Sequence, residues 1–428
     1  MWLPNLADVT WMTDVLSRHG GTLGLPGEVA TVQLLDARLT HPQRPESLLC
    51  RGWATYLVIL RDAEAVHLYV KGFPAGGASG AAWQQDRMTR RAGRSAHLRE
   101  LDLVVWRFPD DPRLTALPAL VTPRLAARIL PPAVRDLLGS PSADELRTTM
   151  VRYQPEASAT LRLEVDRDRA PAVFAKHLAD ETVADISARH QALWSTSDPL
   201  GGLRIAEPLA ADPARGVLWT RGVAGHPLAE ALVPDQLSEV TARLGPLLAA
   251  LHASSLGITE GVMVDELLAE AHKKAAKLAR AHAPLAPLLT DLVTTATRRR
   301  RDTRNERVCT LHGDFHLDQL VSSPQGPVLV DLDTMSRGAP EVDLAQFIVD
   351  LALRGLPGTV KQEVARGLLS SYAAATGTEV DAALLEICAD AEFLNRCYRH
   401  LRRHSPGWQS ALETELGRHA EMRSLLHV

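Results

Sequence analysis

Short apolar runs alternate with polar residues through the first part of the chain, and this pattern predicts β-strands there. Residues 53–73 contain two β-prone runs on either side of a polar turn at 61–64, which predicts a hairpin. Residues 161–165 and 172–176 predict a second hairpin, and the segment that follows, up to Trp194, has a helical pattern. We therefore expect a strand-rich first part with a helix after the second hairpin.

The apolar spacing becomes helical after residue 235. Apolar residues from Leu237 to Leu251 recur on one helical face, although Pro246 predicts a kink or a break in that helix. A short strand-rich insert at 307–333 interrupts the helical part. Further helices are predicted over residues 264–283, 342–353, 360–375 and 380–401.

The order of these elements predicts three segments. A turn-rich stretch near residue 140 marks the first boundary. We expect an added strand-rich, cap-like domain over residues 1–145, a small β lobe with its connector over 146–222, and a large helical lobe over 223–428. The predicted fold class is therefore α+β, with a small β lobe, a large and mainly helical lobe, and an additional N-terminal α/β domain.

Composition and charge exclude several classes of protein. With 428 residues, of which 46% are hydrophobic, the chain can bury a large core. Its 47 basic and 51 acidic residues nearly cancel, so it lacks the positive field of a dedicated nucleic-acid binder. The sequence begins without a secretory signal, and it contains no run of about 18 apolar residues that would predict a membrane span. The four cysteines form no C-x-x-C pair, which favours the reducing cytoplasm.

The strand-rich insert contains a second turn signal. Two apolar runs flank the sequence SPQG at 323–326, which predicts a tight antiparallel hairpin. If Ser322 pairs near Pro327, the register places Asp331 opposite Asp318 and next to Gln319. Oxygen-bearing side chains from separate strands would then converge at one end of the hairpin.

Three polar residues of the insert suit phosphoryl transfer. That reaction needs a positioned acceptor hydroxyl and hard oxygen ligands that hold Mg²⁺ against the phosphate oxygens. Asp314, just before the hairpin, is predicted to orient the hydroxyl and to accept its proton. The amide oxygen of Gln319 and the carboxylate of Asp331 are predicted to coordinate the metal.

Two motifs in this region resemble those of the aminoglycoside phosphotransferase family. The run HGDFH at 312–316 is similar to the family's catalytic motif, and VLVDLD at 328–333 with GAPEVDLA at 338–345 is similar to its second signature. The resemblance covers roughly residues 151–428. It implies a two-lobed protein-kinase-like fold and transfer of the γ-phosphate of ATP, or of GTP, to a hydroxyl group of a small sugar-like or aminoglycoside-like acceptor.

The same resemblance assigns supporting roles. It implies that His312 and Asp343 organise the loop and that Asp333 is a secondary metal ligand. Gln319 stands where most members have Asn, but maltokinase-like members of the wider group, which also includes choline kinases, carry a similar H-G-D-x-H-x-x-Q pattern. The departure therefore weakens an antibiotic-kinase interpretation more than a kinase interpretation.

The nucleotide contacts are predicted from weaker likenesses. Lys176 resembles the lysine that contacts the α- and β-phosphates, and Lys71 is its rival because it lies in a similar hairpin context. Lys176 is preferred, since using Lys71 would insert the intervening residues into the small lobe. Arg221, Gly222 and Val223 resemble the interlobe hinge whose backbone meets the adenine edge.

Two features keep an alternative open. The helix glutamate expected after Lys176 is not evident, with Arg189, His190 or Gln191 in its place, and Gln319 stands where most members have Asn. The turn at 155–159 stands in the place of the phosphate-covering loop, whose glycine pattern family members often lack. A catalytically silent nucleotide-binding pseudokinase is therefore the second hypothesis. A protein kinase is disfavoured because H-G-D-F-H replaces H-R-D.

Basic residues near the end of the chain also have two interpretations. They form either the solvent-exposed face of the last long helix or a border of the substrate cleft. A position at the cleft would favour a neutral or anionic acceptor such as a sugar. These residues are Arg396, Arg399, Arg402 and Arg403. A further basic run, at 298–301, is predicted to be a solvated helix end. The sequence leaves the oligomeric state open.

Overall fold

The computed structural model describes most of the chain. The described residues are 6–39, 52–62, 64–74, 77–85, 95–166, 171–179, 182–196, 202–232, 237–259, 261–303, 307–403 and 407–428. Cys50, one of the cysteines considered above, lies outside them. No helix in these ranges is long and apolar enough to cross a membrane.

The strands lie mostly in the first half. They are β1 Val29–Leu39, β2 Gly52–Leu60, β3 Ala65–Gly72, β4 Ser95–Leu98, β5 Leu103–Arg107, β6 Leu146–Gln154, β7 Ser158–Val165, β8 Val173–Leu178, β9 Pro208–Asp212, β10 Val217–Arg221, β11 His226–Pro227, β12 Gly261–Val262, β13 Cys309–Leu311, β14 Leu320–Ser323, β15 Gly326–Leu329 and β16 Ser336–Gly338.

The longer helices lie mostly in the second half. In chain order the helices are α1 Val9–His19, α2 Ala78–Gln85, α3 Leu117–Val121, α4 Pro123–Ile129, α5 Pro132–Leu137, α6 Val183–Thr196, α7 Leu237–Ala253, α8 Val264–Ala281, α9 Ala286–Asp302, α10 Glu341–Leu353, α11 Gly358–Thr376, α12 Ala382–Arg403, α13 Trp408–Leu416 and α14 His419–Ser424. A strand-rich first part and a mainly helical second part confirm the predicted α+β class.

The chain divides into two compact units. The first consists of Met1–Val183, Ala210–Trp219 and Arg399–Trp408, and the second of Ala184–Leu209, Thr220–Tyr398 and Gln409–Val428. The domain boundaries at 145 and 222 stay predictions.

The first sheet has the strand order β1-β2-β3-β5-β4. Its β2–β3 hairpin confirms the one predicted at 53–73, and Tyr56 pairs with Leu68. On one face, Met12 and Leu16 of α1 pack into the buried core. On the other face, Tyr69 and Trp106 form a smaller aromatic cluster that α2 covers with partly buried side chains.

The second sheet has the order β6-β7-β8-β10-β9. Its β7–β8 hairpin confirms the second predicted hairpin, and α6 between β8 and β9 confirms the predicted helix. In both sheets the fifth strand lies between the third and the fourth, and a helix joins the third strand to the fourth. The first sheet therefore repeats the topology of the second.

The second unit is built around helices that are buried on several sides. The close approach of α7 to α11 needs Gly245, because a Cβ atom there would lie 2.1 Å from the backbone N of Tyr372. Helix α7 continues through Pro246, so the break considered in the sequence does not occur. Buried leucines on both sides of the proline, Leu244 and Leu247, hold the helix in the core.

Candidate active site

The HGD loop begins where β13 ends. Gly313 has φ +84°, and a Cβ atom there would lie 2.2 Å from the carbonyl oxygen of Thr334, so the position requires glycine. The hydroxyl of Thr334 donates a hydrogen bond of 3.0 Å to the carbonyl oxygen of His312. The segment after Asp331 thus fixes the backbone just ahead of Asp314.

A buried carboxylate on α10 holds the same loop. Asp343 accepts the backbone N–H of His312 at 2.7 Å and that of Gly313 at 3.0 Å. Nε2 of His252 lies 3.1 Å from the same carboxylate, and its Nδ1 lies 2.8 Å from the hydroxyl of Tyr372. These bonds confirm that Asp343 organises the loop.

The ring of His312 joins the loop to the strand that precedes Asp331. Its Nε2 lies 3.0 Å from the carbonyl oxygen of Val330, which can only accept a hydrogen bond. Nε2 therefore carries the proton, and Nδ1 accepts the backbone N–H of Asp314 at 3.4 Å. His312 is fully buried, in agreement with its predicted organising role.

Two further polar residues of α10 hold the loop, and the sequence interpretation missed both. Gln346 accepts the backbone N–H of Phe315 and donates to the carbonyl oxygen of Gly313, each at 2.9 Å. Asp350 accepts the backbone N–H of Leu317 at 3.3 Å. Together with position 343, these residues recur at i, i+3 and i+7, a polar stripe on an otherwise apolar helix that could have indicated them.

Asp314 is ionised and half-exposed. Its Oδ2 lies 3.4 Å from Nε2 of His316. Burial would raise the pKa of the Asp314 carboxyl, but the hydrogen bond and charge of His316 and the charge of Arg396 outweigh it, so this pKa lies below its usual value. The group can therefore accept a hydrogen bond from a hydroxyl at neutral pH.

Arg396 does not lie on a solvent-exposed helix face. It is 7% exposed, its Nε lies 2.5 Å from Oε1 of Glu392, and its Nη1 lies 3.7 Å from Oδ1 of Asp350. Of the two interpretations, the solvated helix face is therefore wrong for Arg396, which pairs in the interior with a carboxylate one turn earlier. Arg402 and Arg403, near the end of α12, are exposed.

The β14–β15 hairpin has the predicted register. Ser322 pairs with Pro327, and the ladder runs to the pair of Leu320 and Leu329. Asp318 lies in a 3₁₀ turn ahead of this ladder, and its Oδ1 is 2.9 Å from Nη2 of Arg354.

Gln319 and Asp331 meet at the open end of the hairpin. Nε2 of Gln319 donates to Oδ2 of Asp331 at 3.4 Å and lies 3.2 Å from Nε2 of His316. The predicted proximity of the two metal-ligand candidates is therefore confirmed, whereas their binding of a metal stays a prediction. Asp333, in the following 3₁₀ turn, is partly buried.

The side chains at this end of the hairpin, a carboxylate and an amide, are of the types that bind magnesium. Asp331 has φ +62°, a left-handed conformation that a non-glycine residue adopts at a cost and that is often associated with functional sites. Among the described residues, no group of three or more His, Cys, Asp or Glu side chains is placed to hold a metal. Mg²⁺ commonly takes one or two protein oxygens and completes its shell with phosphate and water, so a pair of protein ligands is compatible with this ion.

The predicted nucleotide residues lie on or beside the second sheet. Lys176 is on its third strand, β8, opposite Thr160 of β7. Arg221 ends β10, and Gly222 and Val223 follow it. Nη1 of Arg221 lies 2.9 Å from Oε2 of Glu207. Their contacts with a nucleotide stay predictions.

Lys71, the rival lysine, is engaged elsewhere. Its Nζ lies 2.6 and 2.7 Å from the two carboxylate oxygens of Glu156, in the turn between β6 and β7. On α6, His190 occupies one of the positions considered for the expected glutamate. It is buried, with Nε2 at 2.8 Å from the carbonyl oxygen of Ala206, so its role there is structural.

The sequence matches one protein family. Residues 174–384 match the model of the phosphotransferase enzyme family, APH. The matched segment contains the predicted site residues Lys176, Arg221, Gly222, Val223, Asp314, Gln319 and Asp331. No curated protein matches the sequence significantly.

Several solved structures are similar to this chain. A thermostable mutant of the aminoglycoside phosphotransferase APH(4)-Ia, in complex with ADP and hygromycin B, has 13% identity and a TM-score of 0.49, covering 68% of this chain and 96% of its own. The aminoglycoside phosphotransferase APH(3'')-Id from Streptomyces rimosus has 20% identity and a TM-score of 0.41, covering 58% and 92%. A choline/ethanolamine kinase family protein from Mesorhizobium loti has 15% identity and a TM-score of 0.41, covering 63% and 85%.

Proposed function

Because residues 174–384 of this chain match the model of the phosphotransferase enzyme family, we propose that the protein transfers the γ-phosphate of MgATP, or of MgGTP, to a hydroxyl group of a small molecule. One observation carries the proposal. A loop fixed by the buried Asp343 presents the ionised Asp314, and His316 lies within hydrogen-bonding reach of both Asp314 and Gln319, the latter next to Asp331. Phosphoryl transfer depends mainly on such positioning and on charge stabilisation.

Asp314 orients the acceptor. Its carboxylate accepts a hydrogen bond from the acceptor hydroxyl and takes up the proton as the oxygen attacks phosphorus. The low pKa makes Asp314 a weak base, which suits a reaction in which the proton leaves late. Nε2 of His316, 3.4 Å from Oδ2 of Asp314, is proposed to hold the carboxylate in place.

Gln319 and Asp331 are proposed to hold magnesium. The bound metal would neutralise charge on the phosphate oxygens. Asp331 supplies a carboxylate oxygen, and Gln319 supplies Oε1. The amide of Gln319 now points its nitrogen at Asp331, so metal binding requires the amide to present its oxygen instead. The buried position of Gln319 keeps either orientation close to Asp331.

The nucleotide contacts are assigned to the second sheet and its last strand. Lys176 is proposed to bind the α- and β-phosphates, since it lies on the third strand, where protein kinases carry this lysine. The backbone N–H of Arg221 already donates to the carbonyl oxygen of Glu207 at 2.8 Å. We therefore assign the adenine-edge contacts mainly to the backbone of Gly222 and Val223.

The acceptor is proposed to be a small sugar-like or aminoglycoside-like polyol, with no role for nucleic acid or a membrane. The near balance of acidic and basic residues favours a small-molecule partner over a polyanion. Cys309, Cys388 and Cys397 are not joined in disulfides, which suits a reducing compartment, so we propose that the protein acts in the cytoplasm.

The hydrogen bond from Gln319 to Asp331 favours the alternative, a nucleotide-binding pseudokinase that does not turn over, because it engages both metal-ligand candidates with each other. Nucleotide consumption separates the two. The purified chain should consume MgATP or MgGTP with at least one compound from a panel of sugars, aminoglycosides, nucleosides and amino alcohols. Binding of nucleotide without transfer to any acceptor in the panel would favour the pseudokinase.

A further inference from the structure

Lys71 forms a close ion pair with the β6–β7 turn. Its Nζ lies 2.6 Å from Oε1 and 2.7 Å from Oε2 of Glu156, and the two side chains are 15% and 22% exposed. A pair shielded to this extent is screened by water and salt much less than a surface pair. The contact joins residues 85 positions apart in the sequence.

A second side chain of β3 binds the same carboxylate. The hydroxyl of Tyr69 donates to Oε1 of Glu156 at 2.9 Å. Burial raises the pKa of Tyr69 well above its usual value, and the charge of Glu156 adds to this, so the phenol keeps its proton and remains a donor. The ring is fixed by stacking on Trp106 at a centroid distance of 5.1 Å.

Asp111 holds the backbone of the same turn. Its Oδ2 accepts the backbone N–H of Glu156 and the hydroxyl of Tyr153, each at 2.9 Å. Glu156 has φ +56°, a left-handed conformation that favours glycine. Lys71 and Tyr69 therefore stabilise the side chain of Glu156, and Asp111 stabilises its strained backbone.

The position of Lys71 repeats that of Lys176. Both lie on the third strand of a five-stranded sheet with the same strand order. Lys176 is the proposed phosphate ligand, whereas the amine of Lys71 is bound to Glu156. The lysine of the first sheet is thus directed at the turn of the second sheet.

We propose that Lys71 is a positioning residue for nucleotide binding, in that it neutralises Glu156 and fixes the β6–β7 turn in a shape that accepts the triphosphate. The inference rests on the proposed function and on the resemblance by which the turn at 155–159 stands in the place of the phosphate-covering loop. An unpaired carboxylate in the turn would repel them. Lys71 and Tyr69 remove that repulsion by binding the carboxylate.

A double-mutant cycle on the full chain tests this inference, with MgATP affinity measured by calorimetry. Lys71→Met keeps the side-chain length and removes the charge, and it should weaken MgATP binding by ~10-fold, the effect of a lost charged hydrogen bond. Glu156→Gln should bind nearly as well as the wild type. The double variant should recover most of the loss, because no unpaired carboxylate remains.

The outcomes separate the possible roles of Lys71. If Lys71 contacted the nucleotide directly, the double variant would stay as weak as Lys71→Met, and the inference would be wrong. Wild-type affinity in Lys71→Met would also overturn it. Arg147→Met, which removes an exposed ion pair with Asp166 at the far end of the β6–β7 hairpin, is the matched control and should change nothing.

Hydrogen exchange provides a readout that does not need nucleotide. Lys71→Met should speed exchange of the Glu156 amide, because the turn loses part of its support. Unchanged exchange of the Glu156 amide would contradict the proposal that Lys71 fixes the turn. If the wild type does not bind MgATP at all, the proposed function fails, and the exchange result alone decides whether Lys71 fixes the turn.

Discussion

Asp343 accepts the backbone N–H of His312 at 2.7 Å from a fully buried position on α10. The same carboxylate takes the next N–H along the chain, from Gly313. A single helix residue therefore fixes the peptide units that immediately precede Asp314. Because the helix is buried over most of its length, the loop is anchored to the core of the second unit.

Replacing Asp343 should destabilise the protein. The carboxylate of Asp343 accepts buried backbone N–H groups at both of its oxygens. In Asp343→Asn, the amide NH₂ group must face one of these N–H groups, so two donors oppose each other. The free energy of unfolding should therefore fall by about 3 kcal/mol. Denaturant unfolding measures the change. Asp318→Asn, whose side chain is 63% exposed in its pair with Arg354, is the control and should cost less than ~1 kcal/mol. Equal effects of the two substitutions would contradict the organising role.

Removing the Asp331 carboxylate should abolish the magnesium dependence of nucleotide binding. In Asp331→Ala the ion loses its charged protein ligand, and Gln319 alone is a weak substitute. Titrations of ATP with and without Mg²⁺ measure the difference, which should be large in the wild type and absent in the variant. If magnesium strengthens binding equally in both proteins, Asp331 is not a ligand.

Two substitutions at Gln319 separate an enzyme from a pseudokinase. Gln319→Asn keeps an amide oxygen and should be tolerated. Gln319→Leu removes the oxygen and should lower kcat by ~100-fold or more, because the metal's contribution amounts to several kcal/mol. Steady-state turnover measures both variants. Full magnesium-dependent activity in Gln319→Leu would exclude a ligand role for this residue.

The pH dependence of activity should report on His316. The pKa of Asp314 lies below its usual value because the hydrogen bond and charge of His316 outweigh burial. In His316→Gln the contribution of the imidazole is lost, so the pKa of Asp314 rises and the acid limb of kcat/KM moves to higher pH. His427→Gln, at an exposed histidine paired with Glu386, should leave the profile unchanged. An acid limb at the wild-type pH in His316→Gln would contradict the assignment.

Local patterns in the sequence predicted part of the site. The turn signal SPQG determined the register of β14 and β15, and with it the meeting of Gln319 and Asp331. The polar stripe on α10 could have indicated Gln346 and Asp350, but their partners depend on how α10 packs against a loop more than 30 residues earlier, which no local pattern encodes.

Parts of the fold could not be predicted from the pattern of apolar and polar residues. The short helices α3 to α5 were missed because they have only five to seven residues each, too few for a helical apolar spacing to be recognised. Of α9, only its basic end at 298–301 was predicted. Arg396 is buried together with Glu392, its partner at i, i+4. This spacing is equally common on exposed helix faces, so it did not indicate that the pair is buried. The contact of Lys71 with Glu156 joins the two sheets and could not be predicted from either strand alone.

The most direct test of the account is Asp314→Asn. The substitution barely changes volume but removes the proton acceptor, so nucleotide affinity and the thermal midpoint should stay near those of the wild type. Turnover with the acceptor identified in the panel should fall by at least about 100-fold. Turnover within a few-fold of the wild type would contradict the assignment of Asp314 as the residue that activates the acceptor.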